Sequence, residues 1–591
     1  MRPTPIALLS STGSGDQTGW SPVFFWPVVY IVLALLAYGP VRYGQWEALC
    51  ASRVPNGVVA LFNLWTIWWN ADRLAHGLKG YFDAPIFWPE KGTFALSEPQ
   101  PSTLAVAPLV WLFGVTPAFH AYFLVNAVLN GWFGYRLARA VGATPWSAGL
   151  AGAMVTWLPL IFLQPELVQY VPLWPAMWTW ILLMRTEPAQ LLRQSVWLGV
   201  AIATSFAACL HLGLLNLMVI VPASIILAAS RGRWAELFRL GLGLVVAGCL
   251  LLPLIVPVAS RLLVHAVERP SEVVFRLSAS VNDWLTLPPT ALTKCYFPAN
   301  GGRPLHPGWL RILCALLTLS IFLSRRDNPG LDRSALGFVW MVALGAGIAS
   351  FGPRISLGGI CPWQLFSQLL PPLAWVRSPY RYAYLAQPAL LVLAGIGLEL
   401  LARCLGHLAA QSKRKVLALV ASGIFAGLLW AEVPPSPCVL VPGPRLWAAP
   451  DWVEFLAKTP SDSAGVLLLD FPPPEKLLPH ERTVRMMLWQ ARYRLPLVNG
   501  YSGYAPRSWE VRRELWTISP YSPGCLTDLE RIGVKLLVRP PEFPPPPAEK
   551  IDGFQLKRIY RGKDGVEIWQ LSTSREESIA PPSEPKPGDV S

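Results

Sequence analysis

Apolar runs long enough to cross a membrane recur along most of the chain, near 23–40, 118–138, 146–163, 171–185, 194–210, 211–229, 237–258, 309–324, 334–351, 382–402 and 414–431. A hydrocarbon core of about 30 Å asks for roughly 20 such residues per helix, so the pattern predicts a polytopic α-helical membrane protein of about eleven spans. Between the first two runs the period changes. "VVALFNLWTIWWNADRLAHG" places Val58, Leu61, Phe62, Trp65, Trp68 and Trp69 at helical spacing, with Asn63, Thr66, Asn70 and Arg73 as a separate polar stripe. This predicts a helix lying in the plane of the membrane interface. "LAVAPLVWLFG" at 104–114 is too short to cross and is expected to dip into the outer face.

The pattern changes again after 431. A proline-rich linker, 432–446, contains "PPSPCVLVPGP", and a small extracytoplasmic α/β domain is expected over 447–572. "AGVLLLDFP" and "GVKLLVRPP" read as buried strands, and "FQLKRIYR" and "GVEIWQLS" as a hairpin closed by "GKDG". "RSWEVRRELW" and "CLTDLERIG" read as short helices between them. The tail 573–591 has too little apolar content to fold.

Composition points the same way. Hydrophobic residues make up 53% of the 591 and charged residues only 14%, where a soluble chain would carry about a quarter charged. The mean hydropathy is +0.40. Twenty-eight Trp suit a chain with many membrane–water boundaries, where an indole keeps one edge wet. The start, "MRPTPIALLSSTGSGDQTGW", has too short an apolar core for a signal peptide, and no small-residue cleavage site follows the next apolar run, so that run is expected to stay as an anchor.

The net charge of +14 reads as topology rather than nucleic-acid binding, because much of it sits in short loops. Arg136 and Arg139 follow the second span, Arg185 and Arg193 the fourth, and Arg231, Arg233 and Arg239 the sixth. Arg325, Arg326 and Arg333 follow the eighth, and Arg403 with "KRK" at 413–415 the tenth. Counted along the spans, all five loops fall on one side, which the positive-inside rule makes cytoplasmic. The segment 1–22 is then inside, everything after 432 outside, and the long loops 41–117, 259–308 and 352–381 lie on the outer face. Nine cysteines contain no CxxC pair, which argues against a zinc or redox centre; Cys209, Cys249 and Cys314 read as small hydrophobes.

Ionisable groups close to a bilayer are costly and therefore candidates for function. The first outer loop offers Glu47, Asp72, Asp83, Glu90 and Glu98, several of them within the proline-kinked "GYFDAPIFWPEKGTFALSEPQPST". Glu166 sits in the very short loop "LQPELVQY". "ERPSEVVFRLSASVNDW" carries Glu268, Glu272 and Asp283 beside Arg269 and Arg276, and "WVRSPYRY" carries Arg377 and Arg381. Carboxylates and arginines together at one face suit a lipid-phosphate donor. Arginine binds the phosphate by a two-pronged fork, and a carboxylate takes the proton of an attacking sugar hydroxyl or holds a divalent cation such as Mg or Mn. The candidate catalytic acids are Asp83, Glu98 and Glu166, with Glu47 and Asp72 in reserve, and Arg377, Arg381 and Arg269 are the candidate phosphate binders. Asn499, Tyr501 and Tyr504 of "LVNGYSGYAP" mix amide and aromatic groups as a sugar-binding surface would.

In order along the chain, "NLWTIWWNADRL", "FDAPIFWPEKGTFALSEPQP", "LVNAVLNGWFGYRLARAVGA", "HPGWL", "VRSPYRYAYLAQPALLVLAGIGLELL" and "LPLVNGYSGYAP" span most of the sequence. Together they resemble the GT-C class of integral-membrane glycosyltransferases, and most closely the bacterial branch of YfhO-like membrane proteins. The resemblance implies a polyprenyl-phosphate-linked sugar donor, inversion at the sugar carbon, and an envelope glycan, lipid or protein acceptor on the extracytoplasmic face of a bacterial inner membrane. One departure stands out. The class commonly places an Asp or acidic pair early in the first outer loop, where this chain reads "YGQWEALCASRVPNGVVALFN" with Glu47 its only acid. Either Glu47 or a later acid takes that role, or the chain is a non-catalytic relative that binds or transports envelope polysaccharide or lipid. Mid-span ionisable residues and paired internal repeats, the marks of an ion-coupled carrier, are not evident in the sequence.

Overall fold

The computed structural model describes residues 22–51, 57–185, 190–265, 270–295, 302–323, 330–356, 358–359, 361–369, 373, 375–408, 412–436, 439–441, 449–460, 465–472 and 480–573. Arg269, Arg325 and Arg326, almost all of the segment 1–22 and almost all of the tail lie outside them.

A helix stands at each of the eleven apolar runs. Among the described residues, five helical segments are long and apolar enough to cross a membrane: Pro145–Leu163, Leu191–Ala208, Leu210–Arg231, Ala235–Val264 and Pro379–Cys404. Others are shorter, such as Trp174–Met184. The segment Ala235–Val264 turns Phe238, Val245, Leu250, Leu252 and Val256 outward into open surface. A row of large apolar side chains left uncovered suits hydrocarbon rather than water, and hence a membrane location. Small residues let the helices approach closely. A Cβ on Gly397 would sit 1.7 Å from the Cys314 carbonyl oxygen, so the helices Ala383–Leu408 and Trp309–Leu317 meet backbone to side.

The C-terminal part is built on a five-stranded sheet, β3 (Gly465–Leu468), β4 (Val534–Arg539), β7 (Glu567–Thr573), β6 (Phe554–Arg561) and β5 (Lys550–Ile551) in spatial order. β3 and β4 run parallel, with Val466 opposite Leu536. The connection between them carries the helices Glu481–Tyr493, Arg507–Ile518 and Pro523–Arg531. β6 and β7 form the hairpin around Gly562–Gly565, pairing Leu556 with Leu571. A separate antiparallel pair joins β1 (Leu49–Ala51) to β2 (Val439–Val441), tying the segment 41–117 to the one after the last apolar helix.

The helix Gly57–Ala75 differs from the expected interfacial helix. Its polar stripe does not face water: Asn63, Thr66 and Asn70 are buried. Buried amides must be hydrogen-bonded, and here their partners are the loops that follow. Another side of the same helix packs against the helix Glu481–Tyr493 of the C-terminal part. The proline-kinked stretch lies along that junction. Phe87 and Trp88 donate backbone N–H bonds to the Asn499 and Leu497 carbonyls (3.2 and 3.1 Å), Leu497 N–H donates to Pro85 (2.9 Å), and the Trp88 indole donates to the Ile532 carbonyl (2.8 Å). Backbone ladders need extended, irregular chain at this point, which prolines supply by barring a helix.

Asp72 closes the junction. Arg494 Nη1 of the C-terminal part lies 2.6 Å from Asp72 Oδ1, and Arg73 grips the second carboxylate oxygen. Burial alone would raise the Asp72 carboxyl, but the hydrogen bonds and charges of Arg494 and Arg73 outweigh it and hold it below its usual 3.8. A depressed carboxylate adds stability that is complete above its unfolded value and is lost as pH falls through the lower folded value. Because Arg494 is half-exposed, the pair is expected to contribute only about 1 kcal/mol. Asp72→Asn should therefore lower the melting temperature at pH 7, and should also remove part of its fall below about pH 4. Thermal scans from pH 2 to pH 7 check both, and an unchanged acid limb would place the acid-sensitive group elsewhere.

Candidate functional site

The site begins with the loop Ser97–Thr103. Four polar contacts fix it on the helix Gly57–Ala75: Asn70 Nδ2 donates to the Pro99 carbonyl (2.8 Å), the Gln100 carbonyl (3.2 Å) and Thr103 Oγ1 (2.8 Å), and Gln100 Nε2 donates to Asn63 Oδ1 (2.7 Å). Gln100 takes a left-handed backbone, φ 49°, which an L residue adopts only when its surroundings enforce it. From the other side Tyr504 N–H donates to the Leu96 carbonyl at 3.1 Å. Such anchoring orients Glu98 inward, leaving its side chain 12% exposed.

Glu98 meets the start of the helix Leu210–Arg231. Cys209 caps that helix, its Sγ accepting from Leu212 N–H at 3.4 Å. His211 N–H donates to Glu98 Oε1 at 3.3 Å, and His211 Nδ1 is in direct contact with the same oxygen. A carboxylate here gains from exposed N–H groups and the positive end of the helix dipole. Burial raises the Glu98 carboxyl, while the His211 ring, the Cys209 thiol and the Arg381 guanidinium together bring it below the usual carboxylate range.

Arg381 lines the next part of the cluster. Its Nη1 donates to Tyr170 Oη at 2.6 Å, and the guanidinium also lies over the Tyr170 ring, 4.6 Å from the centroid. Tyr170 stacks on Tyr384 at 5.1 Å, and Tyr384 Oη donates to Gln164 Oε1 at 3.2 Å. Glu166, buried, belongs to the same short loop and receives Asn63 Nδ2 on its backbone carbonyl at 2.7 Å. Among the described residues Glu98 Oε2 and Arg381 Nε are buried with no hydrogen-bond partner. Leaving a buried polar atom unsatisfied costs about 1–3 kcal/mol, and more for a charged group. Here one acceptor atom and one donor atom of opposite charge lie in the same cluster.

Glu98, Cys209 and His211 offer donor atoms within 4.8 Å of one another. A thiolate, an imidazole and a carboxylate form a set that suits zinc with one coordination position open. The set does not suit Mg or Mn, which favour oxygen ligands throughout.

The other candidates sit elsewhere. Asp83 is exposed and accepts Gly92 N–H at 2.8 Å, which closes its own loop, and Glu90 accepts the Ser508 hydroxyl at the domain junction. Glu47 is exposed next to β1, and Asp72 is taken up by Arg73 and Arg494. Arg377 is exposed, close enough to Tyr501 to act on its hydroxyl, which burial pushes up to about 12. Asn499 is buried, bonding Leu468 N–H through Oδ1 (2.7 Å) and the Leu468 and Asp470 carbonyls through Nδ2 (3.0 and 3.2 Å), so its amide braces a strand. Tyr501 packs edge-on to Phe62, and Tyr504 Oη donates to the Trp375 carbonyl at 3.2 Å. Cys209, His211, Tyr170 and Tyr384 were not among the candidates read from the sequence. The signal for the first two was "CLH", a thiol and an imidazole at the join of two apolar helices.

No family model and no curated protein matches the sequence. Among solved structures, the chain is similar to the apo oligosaccharyltransferase of Archaeoglobus fulgidus at 12% identity, over 87% of this chain and 69% of that one, with a TM-score of 0.48. The arabinofuranosyltransferase AftD from mycobacteria matches at 14% identity over 94% of this chain and 42% of that one, with a TM-score of 0.47. Apo ArnT from Cupriavidus metallidurans matches at 13% identity, 93% and 98% coverage, and a TM-score of 0.45. At these values the likeness does not extend to function, which has to be read from the site itself.

Proposed function

We propose that the chain is a GT-C-like membrane glycosyltransferase of the YfhO-like branch, moving a sugar from a polyprenyl-phosphate donor to an extracytoplasmic acceptor with inversion. The observation that carries this reading is the pair of unsatisfied buried atoms, Arg381 Nε and Glu98 Oε2, in one cluster. Arg381 binds the donor phosphate, with Tyr170 holding the guanidinium in place. Glu98 keeps Oε1 on His211 and uses Oε2 to take the proton from the acceptor hydroxyl. The freed acceptor oxygen forms the new bond at the sugar carbon, the carbon–oxygen bond to the lipid phosphate breaks, and the phosphate leaves with that electron pair against Arg381. Glu166 lines the same region. A zinc ion held by Glu98, Cys209 and His211 would, when bound, supply positive charge for the leaving phosphate. The same reading takes eleven spans over 23–431, residues 1–22 inside, and the domain 447–572 outside a bacterial inner membrane.

The test is transfer in detergent. Purified protein incubated with a synthetic polyprenyl-phosphate sugar should release polyprenyl phosphate in proportion to acceptor; absence of release with every donor sugar tried would favour the binding-only relative. Metal analysis checks the zinc set separately. Wild type should retain zinc at close to one ion per chain through chelator-free purification, while the double variant Cys209→Ala, His211→Ala should retain none. Equal zinc in both would remove these residues as ligands.

A further inference from the structure

An open cavity with mostly apolar walls and charged side chains among them lies about the C-terminal sheet, and its lining shares no residue with the Glu98 cluster. It encloses about 610 Å³, within the range of small-ligand sites, and is lined by Trp452, Trp489, Asp470, Arg482, Glu542 and Asp564 among others. The helix Glu481–Tyr493 presents Arg482, Arg485 and Trp489 to it, positions three and four apart on one face. Trp489 and Trp452 stand edge to face at 5.4 Å, and the Trp452 indole donates to Asp564 Oδ2 at 3.0 Å. The Trp489 indole N–H is buried with no partner among the described residues. Arg482 bridges Asp470 at 3.2 Å and also pairs with Glu542.

We propose that this cavity is a saccharide-binding subsite for a neutral or N-acetylated oligosaccharide. Indole faces cover the apolar C–H faces of a pyranose ring, and fixed carboxylates and guanidinium groups receive and donate hydrogen bonds to its hydroxyls. Charge decides against anionic ligands: four carboxylates (Asp470, Glu481, Glu542 and Asp564) outnumber the two arginines (Arg482 and Arg485) on the lining. Burial raises the Asp470 carboxyl, with Glu542 adding repulsion that Arg482 opposes, so an incoming phosphate or uronate would meet an already crowded negative field. The helix that lines the cavity packs on its other side against Gly57–Ala75, whose Asn70 and Asn63 hold the Glu98 loop. The helices Glu481–Tyr493 and Gly57–Ala75 thus stand between a glycan seated here and the Glu98 loop, and connect the two. Its role as the acceptor arm rests on the transferase reading above, whereas saccharide binding itself does not.

The experiment is ligand-observed NMR on the full-length protein in detergent, with chitotriose and maltotriose as probes and trigalacturonate as the anionic control. Wild type should bind at least one of the two neutral trisaccharides and bind trigalacturonate at least tenfold more weakly. Asp470→Asn and Arg482→Ala should each weaken binding about tenfold, while Trp489→Phe, which keeps a ring, should retain most of it. Glu98→Gln should leave binding unchanged. No binding of either neutral trisaccharide, a preference for trigalacturonate, or full binding in both Asp470→Asn and Arg482→Ala would overturn the proposal. Saccharide binding that persists where no lipid-phosphate donor reacts would uphold the subsite and overturn the transferase reading alone.

Discussion

Glu98→Gln is expected to lower turnover by about 10²–10⁴-fold, the usual contribution of a positioned general base, while donor affinity stays within about threefold of wild type. The amide keeps the shape of the carboxyl group and can still accept from His211 N–H, so the loop Ser97–Thr103 stays in place. What it loses is the ability to take a proton. Arg381→Ala should behave in the opposite way. Removing a charge-assisted contact worth about 1.5–3 kcal/mol should weaken binding of polyprenyl phosphate by roughly 10- to 100-fold. Arg381→Lys should recover part of that affinity, since a point charge remains but the two-pronged guanidinium and its Nη1 bond to Tyr170 are lost. Turnover and lipid binding measured on the same three variants separate the two roles. Equal loss of both quantities in Glu98→Gln would argue that Glu98 merely holds the fold.

Asn70→Ala should have the next largest effect. One amide nitrogen serves two carbonyls and a hydroxyl on the loop that carries Glu98, and all are buried. Without it the Pro99 carbonyl keeps only the long Tyr81 hydroxyl contact at 3.5 Å, a loss of about 1 kcal/mol, while the Gln100 carbonyl retains Thr103 N–H and Oγ1. The left-handed Gln100 would lose much of its support. A loop displaced by even about 1 Å can reduce turnover around 100-fold. The variant should therefore lose activity well beyond its loss of thermal stability, and should be cut by protease within 97–103 sooner than wild type. A fall in melting temperature with turnover intact would show that the stripe only supports the fold. Thr66→Ala is the matched control, because Thr66 Oγ1 only bonds back to Phe62 at 3.0 Å within its own helix.

The apolar periodicity was enough to place the helices, since a 20-residue apolar run has few alternatives near a bilayer. Strands β3, β4, β6 and β7 also stand where alternating or continuous apolar runs bounded by Gly, Pro and Asp suggested them. Less legible was anything that depends on which faces meet. The stripe Asn63, Thr66, Asn70 has the same period whether it faces water or a loop, and only tertiary packing decides. Likewise Asp72 and Asp83 look alike in sequence, but one pairs with Arg494, more than four hundred positions away, and the other closes its own turn. Cys209 read as a small hydrophobe because its partners lie on different elements: Glu98 between the first two apolar runs, and Arg381 far downstream. Pairings separated by hundreds of residues leave no local signature. The helix Glu481–Tyr493 was not foreseen either. Its charged and apolar residues are interleaved to serve a cavity on one side and the helix Gly57–Ala75 on the other.

In the proposed reading one cluster both binds the donor phosphate and holds the base. Cryo-electron microscopy of the protein with a non-hydrolysable polyprenyl-phosphonate sugar tests it most directly. The phosphonate should lie within hydrogen-bond reach of Arg381, about 2.7–3.2 Å, with the sugar carbon turned toward Glu98 Oε2. A lipid phosphonate seated at Arg377 or in another groove, about 15 Å or more from Glu98 and so beyond a screening length of about 8 Å, would contradict it.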